Sequence, residues 1–206
     1  MTKIDTAEKL REIYGMPMEL AVAKALTKLD PHCRHFIELA PFAVISSADA
    51  KGNADVSPLG DGPGFIKVLD DNTLLMPDRP GNNRVDTLSN IIENPNVGML
   101  FFVPGFNDTL RVNGTAEIHN DPALLAHFAD TPKLPITVIK IRVAEAFLHC
   151  AKSLMRSKLW SIDSQVDRKV MPTLGKIIKD QTAASFDVGT QEDADKYFAQ
   201  SIAERG

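Results

Sequence analysis

The chain has 206 residues, 44% of them hydrophobic, and a formal charge of -4, enough to bury a full core in one domain and without the basic excess that would point to DNA or RNA. Its two cysteines, Cys33 and Cys150, are too few and too far apart for a disulfide framework, which points to a reducing compartment, the cytoplasm. The charged start MTKIDTAEKLREIYGMP lacks the apolar core of a secretion signal, and no run approaches the roughly 20 apolar residues of a membrane span, so a soluble protein off the membrane is expected.

Asp5 and Glu8 stand at capping-box spacing, predicting a short helix that runs to Tyr14 and stops at Gly15. From Pro17, the residues Met18, Ala21, Val22, Ala25, Leu26 and Leu29 fall on one helical stripe, predicting a second helix. Asp30-Pro31 ends it and opens a third, through His35 and Leu39. His32 and His35 share a face of that helix beside Cys33, but no second cluster supplies further metal ligands, so a packed or solvated helix explains them without metal.

Strands follow. Phe42–Ser47 and Ala54–Leu59 flank a loop in which Gly52 and Asn53 can take positive φ, predicting a hairpin. Gly60-Asp61-Gly62-Pro63-Gly64 is a loop where backbone can approach something closely. Phe65–Leu69 reads as a strand, Asp70-Asp71-Asn72 as a turn, and Thr73–Met76 as the returning strand, leading to Pro77. Lys67 therefore lies mid-strand in the apolar run FIKVL, where it either snorkels to solvent or places a cation in a cleft.

Val85, Leu88, Ile91 and Ile92 have helical spacing, and Asn94-Pro95 stops the helix, which puts Asn82-Asn83-Arg84 at its N-terminus. Unsatisfied N–H groups and the helix dipole favour a phosphate there, and Arg84 can add a charge-assisted fork. The plainer alternative is that Asn82 or Asn83 only caps the helix. A strand lysine, amides and an arginine at a helix start suit a ligand with an aromatic body and an anionic end.

Val97–Val103 is a nearly continuous apolar run, predicting a strand buried on both faces. In Thr109–His119, Leu110, Val112, Gly114, Ala116 and Ile118 face one way, and Thr109, Arg111, Asn113, Thr115 and Glu117 the other. Arg111 is an ordinary exposed charge or serves the same cleft as Lys67. After a short helix opened by Asp121-Pro122, Pro135–Val143 predicts another strand. Lys152 and Arg156 are helix neighbours, with Trp160 a turn further on, either a solvated helix or a cationic pair that closes over a ligand. His149-Cys150 resembles a base and nucleophile, but sequence neighbours rarely share a face. A helical segment around Val170–Ile178 and a last helix opened by Thr190 and Asp193 complete the chain.

The order of apolar hairpin, SPLGDGPGFIKV, LLMPDRPGNNR, helix, NPNVGMLFFVPG and TLRVNGTAEI resembles the pyridoxamine 5'-phosphate oxidase-like FMN-binding split β-barrel family, most closely its bacterial branch of FMN-dependent enzymes. The resemblance covers Phe42 to Val143 and extends to HCAKSLMRSKLW. It implies an α+β fold, an antiparallel, Greek-key-like split β-barrel with N- and C-terminal helices, as one domain over 1–206: a helical extension at 1–40, the barrel core at 41–149 and a helical segment at 150–206. It implies FMN as cofactor, beside Phe65, Ile66 and Lys67, along Pro77 and Asp78, with its phosphate at Asn83 and Arg84 and with Thr109 nearby; Asn82, at the same helix start, and Arg111, on the face of Thr109, join them as cofactor-binding candidates. Lys152, Arg156 and Trp160 would cap the flavin or hold substrate. Asn83 stands where the oxidases use a cation and Thr109 where they use glutamine, so weaker phosphate binding or a replacement cation is expected. The family implies a homodimer with FMN at the interface and an oxidoreductase acting on a small, anionic substrate. A flavin, haem or deazaflavin module without turnover is the alternative. Pyridoxamine phosphate oxidation itself is not expected, because the C-terminal arginine and tryptophan signature of those oxidases is not recognisable.

Overall fold

A computed structural model describes residues 3–183 and 189–205. Seven antiparallel strands form one sheet in the order β2-β1-β5-β6-β7-β4-β3. Its two end strands do not pair with each other, so the barrel stays split.

The sheet opens with the expected hairpin, β1 (Phe42–Ala48) and β2 (Ala54–Gly60), paired from Phe42↔Gly60 to Ala48↔Ala54. Gly52 turns it at φ 83, and the Asp49 carboxylate accepts from the Lys51 and Asn53 N–H groups at 2.9 and 2.8 Å. β3 (Lys67–Asp70) starts two residues later than predicted, because the Phe65 N–H closes a turn onto the Gly62 carbonyl. β4 (Thr73–Asp78) runs two residues further than predicted. Pro77 lies past the last β3 pair, Lys67↔Leu75, where one side of β4 is an edge and a strand tolerates proline.

β5 (Asn96–Phe102), β6 (Thr109–His119) and β7 (Thr137–His149) form the middle of the sheet. The alternation read in β6 holds: Leu110, Val112, Gly114 and Ala116 are buried, and Arg111, Asn113 and Thr115 are not. β5 corrects its expectation. Val97, Met99 and Phe101 are buried, but Gly98, Leu100 and Phe102 on the other face are only half-covered within this chain. Gly114 sits at a bulge in the β6–β7 register, where a Cβ would lie 2.1 Å from the Arg142 carbonyl oxygen.

The core lies between the inner sheet face, with Ala43, Ile45, Phe101, Leu110, Val112 and Ile141, and the helices α3 (Pro31–Leu39) and α4 (Asp86–Glu93). Asp30 caps α3 by accepting from the Cys33 N–H at 2.7 Å, and α3 buries Phe36 and Ile37 at about 1.5–3 kcal/mol each. Across β4 and β7, Leu75, Phe128 and Val138 form a smaller cluster under α5 (Pro122–Leu125).

The N-terminal segment departs most from its pattern. α1 (Ala7–Tyr14) forms as predicted, but Thr6 is its cap and Asp5 pairs with Lys9 instead. α2 spans only Glu19–Ala23, since Leu26 exchanges both backbone hydrogen bonds with Ala146 of β7 and the Leu29 N–H goes to the Asp71 carbonyl. Extended pairing thus replaces the second half of the stripe, leaving Met18 and Val22 exposed while Leu29 is buried. Lys28 and Arg34 both hold Asp71, so its carboxyl lies below the usual carboxylate range. After β7 come α6 (Lys152–Ser157), α7 (Leu174–Thr182) and α8 (Gln191–Arg205), the last opened by Thr190 and Asp193, each donating a backbone N–H to the other's side chain.

Candidate functional site

Where β4 hands over to α4, the chain lines a cavity of about 650 Å³. Its apolar wall combines Ile45 of β1, Leu59 of β2, Phe65, Met76 and Pro77 with Ile136 and Ile139. Its polar end is the stretch from Asp78 to Thr87. The volume falls in the range of cofactor pockets, about 300–1,000 Å³.

The polar end is made by an unusual helix start. Asn82 does not cap α4: its side chain accepts from the Arg84 N–H at 3.0 Å, closing a local turn that delays the helix to Asp86. Val85 becomes the N-cap and offers no side-chain acceptor. The N–H groups of Asp86, Thr87 and Leu88 therefore have no acceptor among the described residues, and all three residues line the cavity. Asn83 (φ 59) and Val85 (φ 51) are both left-handed. For a β-branched valine this costs on the order of 1–2 kcal/mol, a strain that persists where the surroundings impose it and that gathers at ligand sites.

Two arginines and three carboxylates stand in this wall. Arg84 is largely exposed and donates from Nε to Asp86 Oδ2 at 2.8 Å. Arg79 is mostly buried, donating to Asp61 Oδ2 at 2.9 Å and to the Lys133 carbonyl at 2.6 Å, which ties the turn to both flanking loops. Its Nε is buried with no partner. Asp78 is half-buried beside Thr137, whose hydroxyl donates to it at 3.4 Å; burial pushes its carboxyl up and the Thr137 bond opposes this. A group with a planar apolar body and an anionic tail fits these features, with the body against the apolar wall and the tail at the uncapped N–H groups.

Of the residues expected at one site, Phe65, Pro77, Asp78, Asn82, Asn83 and Arg84 meet in this cavity. Ile66 is buried in the core. Lys67 is outside the lining: on edge strand β3 it pairs with Asp130 at 3.1 Å, holding that carboxyl below its usual range. Thr109, Lys152 and Arg156 line a separate cleft. Arg111 stacks on Phe147, 4.6 Å from its centroid, and the Trp160 ring N–H donates to the Phe106 carbonyl at 2.6 Å. No group of three or more metal-binding side chains occurs among the described residues, and Cys33 is buried in the core. Sequence reasoning passes over Arg79, Asp61 and Thr137. A second arginine five positions before Arg84, in the stretch between Pro77 and Pro80, is the available signal for the first.

Among solved structures the chain is similar to HupZ from Group A Streptococcus (21% identity, TM-score 0.48, covering 58% of this chain and 93% of that one). It is similar to an FMN-binding protein from Syntrophomonas wolfei (12%, 0.44, 69% and 96%) and to an FAD-binding protein from Mycobacterium smegmatis (18%, 0.44, 60% and 97%). These likenesses are distant in sequence and partial in superposition, and no curated protein matches. The sequence profile of pyridoxamine 5'-phosphate oxidase matches residues 29–150, more than half of the chain and all seven strands. The chain belongs to the pyridoxamine 5'-phosphate oxidase family.

Proposed function

We propose that the chain is an FMN-binding flavoprotein and an FMN-dependent oxidoreductase acting on a small, anionic substrate. The observation that carries this reading is the pairing, in one cavity, of an apolar wall with a strained, uncapped helix start. Family membership supports flavin as the occupant. The bound flavin would supply the electron-transfer chemistry.

The chain's own residues bind and orient. Phe65, Met76, Pro77 and Ile139 exclude water from a ring system, and Asp78, its carboxyl raised, sits where a proton can be held beside that wall. The N–H groups of Asp86, Thr87 and Leu88 receive a phosphate together with Arg84, which swings from Asp86 to do so. Arg79, fixed by Asp61 and the Lys133 carbonyl, holds the turn in shape and adds the positive charge that Asn83 does not supply. Lys67, Thr109, Arg111 and Trp160 reach the flavin only if a second copy or a substrate brings them to it.

The working form is a homodimer. Phe42 and the half-covered Leu100 and Phe102 on the outer sheet face, with Met18 and Leu20 at the start of α2, are apolar surface that a second copy would cover. The cytoplasm is its compartment. Cys33, its thiol pushed up to about 11 chiefly by burial, and the exposed Cys150 are both free, and no helix among the described residues is long and apolar enough to cross a membrane.

The test is the absorption spectrum of the purified protein, followed by anaerobic addition of NADH, NADPH and dithionite. Flavin bands bleached by a nicotinamide support the oxidoreductase. Bleaching by dithionite alone assigns a binding module, and a haem or deazaflavin spectrum removes FMN.

A further inference from the structure

The cavity proposed for an anion is lined by three carboxylates, Asp61, Asp78 and Asp86, against two guanidiniums, Arg79 and Arg84. An excess of negative charge where a phosphate is to be gripped opposes binding, so the placing of each carboxylate matters. Asp61 fixes the mostly buried Arg79, which the Lys133 carbonyl holds from the other side. Asp78 accepts from Thr137, and burial pushes it toward its uncharged form. Asp86 does neither.

Asp86 is the first residue of α4, and its Oδ2 accepts from Arg84 Nε at 2.8 Å. This is the only hydrogen bond that the Arg84 guanidinium makes among the described residues, whereas Arg79 makes two. Both partners are open to water, with Arg84 73% and Asp86 48% exposed. A pair so exposed is weak, so a doubly charged phosphate can take the arginine from it.

The surroundings are negative as well. Asp55 of β2 accepts from the Thr87 hydroxyl at 3.5 Å, and Thr87 in turn meets the Ser57 hydroxyl at 3.0 Å. The bond and charge of Asp86, and more weakly the charge of Asp55, hold the Arg84 guanidinium above its ordinary value. Arg84 is thus held by a carboxylate at the place where it would serve an anion, and the same carboxylate would repel that anion.

We propose that Asp86 is a built-in competitor of the ligand's anionic tail: it occupies Arg84, and the tail is gripped as the arginine passes from the carboxylate to it. This rests on the flavin reading of the cavity and adds to it how tightly the tail is held. The competition makes the flavin exchangeable, because an arginine with an internal partner to return to lets go of a phosphate more readily. Asp61 has no such role, since Arg79 is tied on two sides.

Fluorescence-quenching titration of the full-length chain with FMN and with riboflavin tests this in the wild type, Asp86→Asn, Arg84→Gln and the double variant. Asp86→Asn should bind FMN about three- to tenfold more tightly, the weight of one exposed ion pair and one relieved repulsion, and release it more slowly on dilution. Riboflavin binding should not change. In the Arg84→Gln background the same substitution should gain clearly less, because no arginine is left to compete for. Asp180→Asn, an equal change of charge on α7, should leave both flavins unaffected. Asp86 is exposed, so melting curves should nearly coincide. Unchanged or weaker FMN binding by Asp86→Asn, an equal gain for riboflavin, or a full gain in the Arg84→Gln background would overturn the assignment, while FMN binding by the wild type would leave the flavin reading intact. If neither the wild type nor Asp86→Asn binds FMN, both readings fall; if only Asp86→Asn binds it, the competition is upheld in its strongest form.

Discussion

The two faces of β6 put one strand to opposite uses. Inward, Leu110 and Val112 are 0% and 1% exposed and belong to the core that supports α3 and α4. Outward, Thr109, Arg111 and Asn113 carry polar groups whose partners are a ring, a glutamate or none within the described residues. The sites that open on the two faces differ in the same way. In the inner cavity each arginine is already matched by a carboxylate, so Arg79 shapes the turn and Arg84 must leave Asp86 to meet a ligand. In the outer cleft the cations are unmatched among the described residues, so charge there is available. Stability and ligand chemistry should therefore respond to substitution in different places.

The largest effect belongs to the inner face. Leu110→Ala should cost about 2–5 kcal/mol, read as a lower urea midpoint with unchanged slope, while Arg111→Met on the outer face should change stability by less than about 1 kcal/mol. An equal cost for the two would break the comparison. Next comes Gly114→Ala. A Cβ meeting the Arg142 carbonyl oxygen forces the bulge to shift, at about 1–3 kcal/mol. Val85→Asn acts in the cavity wall and should separate stability from binding. Asparagine accepts the left-handed backbone and caps α4, stabilising by about 1 kcal/mol, yet it takes up the N–H groups meant for phosphate and so should weaken FMN. A gain in both would show that the strain serves no ligand.

The smallest effect is electrostatic. His149 is depressed in the folded chain by burial, Arg111 and Lys24, so its contribution to stability is present above the unfolded value of about 6.5 and is lost as pH falls through the lower folded value. His149→Gln should flatten that acid limb of the stability profile.

Much of the barrel is legible in the sequence because alternation and turn chemistry act locally. The β1–β2 hairpin, the two-faced β6 and the Asp30 cap of α3 follow from spacing alone. The failures lie where a distant partner decides. The stripe from Met18 to Leu29 satisfies a helix, but Ala146 and Asp71 supply better backbone partners for Leu26 and Leu29, and no local pattern records that. Asn82 is legible as part of the helix start or as its cap, and only its bond to the Arg84 N–H shows that it closes a turn instead. Cavity residues from one contiguous turn, Pro77 to Arg84, emerge from reading along the chain. Arg79's role does not, because it depends on Asp61 and Lys133 across two loops. The apolar neighbours of Lys67 suggest the same pocket, but an edge strand gives it Asp130.

The central claim is that the uncapped start of α4 grips the anionic tail of a flavin. Quenching of FMN fluorescence on titration with the purified chain tests it directly, alongside riboflavin, which lacks the phosphate. Saturable quenching at one FMN per chain, at least about tenfold weaker for riboflavin and for Arg84→Gln, is the result expected of a charge-assisted phosphate site. Equal affinity for FMN and riboflavin, or no quenching at all, would contradict it.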